Sequence, residues 1–131
     1  MQHLITLVCD DIRTEVGNKV SIMGIYDEAM LVASLPAILP RLSLFQRWSE
    51  VADAKSVRVE FKGSALDERH NIEGELEGGS EGARKTKLQM LLSLAPLRIA
   101  REGELEIATF FDGGSRPAYV HSISIRQGSV S

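Results

Sequence analysis

The chain of 131 residues, 44% hydrophobic and 25% charged with a net charge of −3, has the length of one domain (1–131) and the composition of an ordinary globular protein, which excludes disordered and fibrous classes. No Lys/Arg cluster rises out of the mixed charge pattern, so nucleic acid is not an expected partner. A single cysteine, Cys9, rules out an internal disulfide and suits a reducing compartment.

The first run, HLITLVC, is nearly continuously apolar, as expected of a central strand covered on both faces. It is too short for a signal-peptide core or a membrane span, and no basic leader precedes it. The expectation is a cytoplasmic protein with no membrane partner. Cys9 lies inside this run and is expected to be a buried, inert thiol. Asp10 and Asp11 follow, and the strand is expected to end near them. Gly17 and Asn18 then supply the positive φ values of a two-residue hairpin turn. KVSIMGIYDEAMLVAS is rich in β-branched residues, and Gly24 within it predicts a bulge or the close approach of another backbone.

Between the two prolines of LPAILPR there is room for one helical turn at most. The apolar character of AMLVASLPAILP persists where the chain should be turning. Either this loop folds over one end of the core, or Leu35, Ile38 and Leu39 form a patch that a second chain covers. Period-two alternation then takes over. RLSLFQRWSE places Leu42, Leu44 and Trp48 on one face, and KSVRVEFKG places Val57, Val59 and Phe61 opposite Arg58, Glu60 and Lys62. LDERHN reads as a solvated loop holding His70, and the glycine-rich residues 73–84 as a mobile hairpin loop. KLQMLLSL, GELEIATFF and YVHSISIRQG alternate again, the last two putting Leu105, Ile107 and Thr109, and Tyr119, His121, Ile123 and Ile125, on their apolar faces. Trp48 is expected to anchor the core between two sheets. The whole is read as an all-β, single-domain immunoglobulin-like β-sandwich of about eight antiparallel strands.

Few groups are candidates for chemistry. Neighbouring residues on an extended strand face opposite sides, so Asp10 and Asp11 are disfavoured as an acid/base dyad. The expected arrangement is structural: one aspartate accepts backbone N–H groups in a turn and the other pairs with Arg13. The alternative is a calcium-like divalent-cation site, or a metal-dependent hydrolase, centred on Asp10 and Asp11 with Asp112 brought to the same end. His3, His70 and His121 lie far apart in sequence with no zinc-ligand spacing, so no metal is assigned. His121 is expected as a satisfied sheet residue. The nucleophile elbow G-x-S-x-G is absent, and EGGSEG and FDGGSRP lack the helix and Lys-Ser/Thr of a phosphate cradle. With aromatics at 5%, an exposed carbohydrate platform has little to be built from. No catalytic residue and no cofactor is expected.

CDDIRTEVGNKVSIMGIYDE followed by LPAILPRLSLF resembles the start of a family of small bacterial proteins catalogued only as a domain of unknown function. Cys9, Asp10, Asp11, Arg13, Gly17, Gly24 and Tyr26 carry the resemblance. It implies a β-sandwich and no activity, and it groups Asp10, Asp11 and Arg13 as one unit. The expected function is a non-enzymatic module that associates with itself or with a protein partner.

Overall fold

The structure, a computed structural model, describes residues 1–17, 19–51, 54–76 and 87–128. Eleven strands and no helix run through them: β1 (Gln2–Glu15), β2 (Lys19–Tyr26), β3 (Ala29–Val32), β4 (Ala37–Leu39), β5 (Leu42–Ser49), β6 (Ser56–Lys62), β7 (His70–Glu75), β8 (Lys87–Leu94), β9 (Leu97–Ile99), β10 (Gly103–Phe111) and β11 (Tyr119–Gln127). They form a four-stranded sheet in the order β2-β1-β5-β8, a five-stranded sheet in the order β3-β11-β10-β6-β7, and a two-stranded ribbon of β4 and β9. None of the sheets closes on itself.

The chain is all-β, as its alternation predicts, and the long alternating runs fall on β5, β6, β8, β10 and β11. The difference from about eight strands lies in the short elements. β3, β4 and β9 have 4, 3 and 3 residues, too few to display a period. The proline-bracketed segment forms β4, not a helical turn. β7 is an edge strand whose composition, HNIEGE, hides it, so His70 opens a strand and does not sit in a loop. The run from Lys19 to Ser34 is not one strand: it leaves the four-stranded sheet after Tyr26 and enters the five-stranded sheet at Ala29. There β3 pairs with β11 in parallel, an exception to the antiparallel expectation. Of the expected 73–84 loop, 73–75 belong to β7 and 77–84 lie outside the described residues.

One cluster of buried side chains joins both large sheets. Val8, Leu42, Leu44, Trp48 and Met90 come from the four-stranded sheet, and Val59, Phe61, Leu105, Ile107, Ile123 and Ile125 from the five-stranded one. Trp48 is the expected anchor, 2% exposed and edge-on to Phe111 of the other sheet at 4.8 Å. Where β6 ends, Gly63 (φ +134°) lies so close to the Glu104 carbonyl that a Cβ would overlap it, so only glycine permits that approach.

Candidate functional site

β1 does not end at the acidic doublet. It pairs with β5 only as far as Cys9↔Ser43, then continues beside β2 through Asp11↔Met23 and Arg13↔Ser21 to Glu15↔Lys19. That last pair leaves three positions between the strands, one more than a two-residue turn, and Asn18 lies outside the described residues. Gly17 has the expected positive φ, +86°. Because the strand continues, Asp10 and Asp11 project from opposite faces.

Asp10 shares the face of Val8 and accepts a hydrogen bond from the Tyr26 hydroxyl. Burial, and then this bond to a carboxylate, push the Tyr26 hydroxyl well above the ordinary tyrosine range. Gly24 lies across the ladder with φ +68°, and a Cβ there would overlap the Asp10 carboxylate. The close approach expected at Gly24 is therefore real, but its partner is a side chain rather than a backbone, and the register runs through it without a bulge. Asp11 faces the other way. Its Oδ1 accepts from the Ile12 N–H at 2.9 Å and from Arg41 Nη1 at 3.0 Å, while Arg13 Nε stands 3.7 Å from Oδ2. The Arg41 hydrogen bond, with the Ile12 N–H assisting, holds the Asp11 carboxyl below its usual range.

The expected division of labour is thus corrected. Asp11 takes both the backbone N–H and Arg13, and it adds Arg41, which only the fold brings near; Asp10 is engaged by Tyr26 instead. Asp112 is elsewhere in its bonding: its Oδ1 accepts from Lys55 N–H at 2.7 Å and Ser56 N–H at 3.1 Å, tying down the start of β6. Among the described residues no group of three or more His, Cys, Asp or Glu side chains is placed to share a metal ion.

The second predicted group, Leu35, Ile38 and Leu39, divides. Leu35 and Leu39 pack against the core, while Ile38, between them in the β4 alternation, is 67% exposed beside Arg98 of β9. The segment both covers the core and leaves one apolar side chain outside.

Sequence reasoning missed a polar seam inside the core. Gln46 and Thr109 are fully buried and bonded across the two sheets. The Gln46 amide donates to Thr6 Oγ1 (3.1 Å) and Thr109 Oγ1 (3.0 Å), and its Oε1 accepts from Trp48 Nε1 (3.1 Å) and Thr109 Oγ1 (3.1 Å). The His3 ring extends the seam: Nε2 lies 2.6 Å from Thr6 Oγ1, and the ring stacks on Tyr119 at 3.6 Å. Tyr119, on which His3 stacks, also lies beside the His121 ring at 6.4 Å, so the fold brings both histidines, distant in sequence, to the same tyrosine. The Nε2 of His121 is buried and finds no partner among the described residues, contrary to the satisfied role expected of it. Burial lowers the affinity of both rings for a proton, and for His3 the neighbouring His121 adds to this. The signal was present in the alternation, since Gln46 has the parity of Leu44 and Trp48.

The outer faces of the two large sheets differ in chemistry. On the five-stranded sheet the outward positions hold Arg58, Glu60 and Lys62 of β6, Glu73 of β7 and Glu104 and Glu106 of β10, together with the apolar Phe110 of β10, Val120 of β11 and Leu31 of β3. On the four-stranded sheet they hold a row of Leu7, Phe45 and Leu91 across three strands, with Ile5, Met23 and Ile25 beside it and the charged Asp11, Arg13, Glu15, Lys19, Arg47 and Lys87 around it. None of these six apolar residues belongs to the main core cluster, although Phe45, under the Arg47 guanidinium, is itself buried at 4% exposed. Ile25 is 54% and Leu91 40% exposed. Cys9 sits in the floor of this face, buried as expected, with Sγ 3.7 Å from the Ser43 carbonyl; burial raises its thiol, and Asp10 and Asp11 raise it further.

A family model matches residues 4–121, nearly the whole chain, and is described as a family of unknown function (DUF6941). No curated protein matches the sequence.

Proposed function

The chain belongs to DUF6941, a family of unknown function, and from its own geometry we propose a non-enzymatic binding module. On this reading it is an immunoglobulin-like β-sandwich, acts in the cytoplasm, and associates with itself or with another protein through the outer face of the four-stranded sheet. The observation that carries the reading is the contrast between the two outer faces. A solvated sheet face alternates apolar-in and polar-out, as the five-stranded sheet does with Glu60, Lys62 and Glu106. The four-stranded sheet, beside its own charged residues, exposes Ile5, Met23, Ile25 and Leu91 around a buried Phe45, and exposed apolar patches mark interaction surfaces.

The non-catalytic part of the reading rests on how the carboxylates are used. Asp10 is held by Tyr26, and Asp11 by Arg41, Arg13 and a backbone N–H, so each already has partners within the fold. The mixed charge of the outer faces and the absence of a basic stripe in the sequence favour a protein partner over nucleic acid.

A photo-activated amino acid placed at Leu91 tests the surface, with a second placed at Glu60 on the charged face as the comparison. The expected outcome is protein cross-linking from position 91 and none from position 60. Equal cross-linking from both positions, or none from either, would remove the reading.

A further inference from the structure

We propose that His3 and His121 form a proton-operated latch on the start of β1. With both rings neutral, His3 holds that end of the strand against Tyr119 of the other sheet. Protonation releases residues 1–4 while the rest of the sandwich stays folded. The segment is a unit of its own. The register shifts between His3 and Ile5, so only Gln2↔Ser49 and His3↔Trp48 pair it with β5 before the continuous ladder begins at Ile5↔Arg47. Leu4, at the shift, is 49% exposed. The charges at this end of the strand, the Met1 amino group and the exposed Glu50 carboxylate, face each other at 4.0 Å, and Ser49 Oγ reaches Gln2 at 3.5 Å. Exposed contacts of this kind hold little. His3 is what ties the segment across the sheets, by its stack on Tyr119 at 3.6 Å, its edge contact with Trp48 at 5.2 Å and its Nε2 at 2.6 Å from Thr6 Oγ1.

Hydrogen-bond direction makes this tie sensitive to protons. The Trp48 indole can only donate, so the Gln46 carbonyl oxygen faces it and the amide N–H groups of Gln46 face Thr6 and Thr109. Thr6 Oγ1 thus accepts from Gln46, and its own hydrogen is left for Nε2 of a neutral His3 ring, which accepts it. A protonated ring carries a hydrogen on that nitrogen, and it turns the Thr6 hydroxyl away from its partner. His121 supplies the second half of the device. Its Nε2 is buried without a partner among the described residues, so a proton there brings a charge that no neighbour balances. The side chains facing the two rings are Thr6 from β1, Gln46 and Trp48 from β5, Ile107 and Thr109 from β10, and Tyr119 from β11, none of them a carboxylate. Among the described residues His121 is the one charge that acts on His3, and none acts on His121. The Tyr119 face attracts a cation and offsets part of the cost at His3, but a second charge beside the same tyrosine repels the first. Release of the segment returns His3 to water and takes one charge away from the other. Because burial lowers the proton affinity of both rings, acid below pH 6.5 favours the released form, in which His3 binds its proton with ordinary affinity.

NMR relaxation and histidine-ring titration of the full chain from pH 8 to 4, on the wild type and on His3→Phe, test the proposal. Phenylalanine keeps a ring to stack on Tyr119 but takes up no proton. The expected wild-type result is a fall in the backbone order parameter of residues 2–4 from about 0.85 to below about 0.6. Its midpoint lies below pH 6.5 and coincides with protonation of the two rings, while Val59 and Ile107 stay rigid. His3→Phe should keep residues 2–4 ordered throughout. Order at residues 2–4 that survives protonation of both rings overturns the latch, as does a ring still neutral at pH 4. Loss of order at Val59 and Ile107 with the same midpoint also overturns it, since that is unfolding of the whole sandwich. So does a His3→Phe chain whose segment frees itself at the wild-type pH. The wild-type titration decides the matter by itself where the variant does not fold.

Discussion

At Gly24 a left-handed backbone and a missing side chain are required together. Alanine there meets the steric cost of φ +68° and also displaces the Asp10 carboxylate from its place opposite. Gly24→Ala is expected to lose about 1–2 kcal/mol from the backbone alone. Adding Asp10→Ala should relieve the overlap but not this backbone cost, a distinction that urea unfolding of the single and double variants measures. His3 and His121 define a pH response at the same scale. Both fold with proton affinities below the ordinary histidine value of 6.5, so just below pH 6.5 the unfolded chain binds more protons than the folded one. Stability is therefore greatest above pH 6.5 and falls as the pH drops from there toward the folded pKa values. Asp11 and Asp67 act in a separate, lower window: their carboxyls are lowered from 3.8 by arginine partners, so the stability they give is lost only as the pH falls below that value. His121→Phe should flatten the slope near neutrality and leave the acid limb intact in melts recorded from pH 2 to 8.

At the level of elements, Gln46 ties β5 to β1 and β10 with all its hydrogen-bonding capacity used. Gln46→Leu keeps the volume but leaves the Trp48 N–H and two threonine hydroxyls without this partner. The expected loss is about 1–3 kcal/mol, read by chemical unfolding, whereas a Gln→Leu change at an exposed position should be near neutral. The long strands were legible because their alternation spans seven to nine residues, as in β6 and β10. β7 was not, because an edge strand with Ile72 as its apolar anchor has almost no pattern to read. The passage from β2 to β3 was hidden for the opposite reason: both pieces are rich in β-branched and apolar residues, and the Asp27–Glu28 corner between sheets is short. At the acidic doublet, adjacency of Asp11 and Arg13 was visible in the sequence, but Arg41 and Tyr26 arrive through strand pairing, which residue order alone does not reveal.

For the molecule as a whole, the two outer faces give the central claim. One is mostly charged; the other, beside its charged residues, exposes Ile5, Met23, Ile25 and Leu91 around a buried Phe45. That claim relocates the partner contact expected at Leu35, Ile38 and Leu39, since the first and last of these serve the protein's own core. Carbene footprinting of the wild-type chain, compared between dilute and concentrated extracts of the cells that make it, tests it most directly. Ile25 and Leu91 should be labelled when dilute and protected when concentrated, while Val120, 42% exposed on the opposite sheet, should label equally at both. Unchanged labelling of Ile25 and Leu91 across the whole concentration range, parallel to Val120, would contradict it.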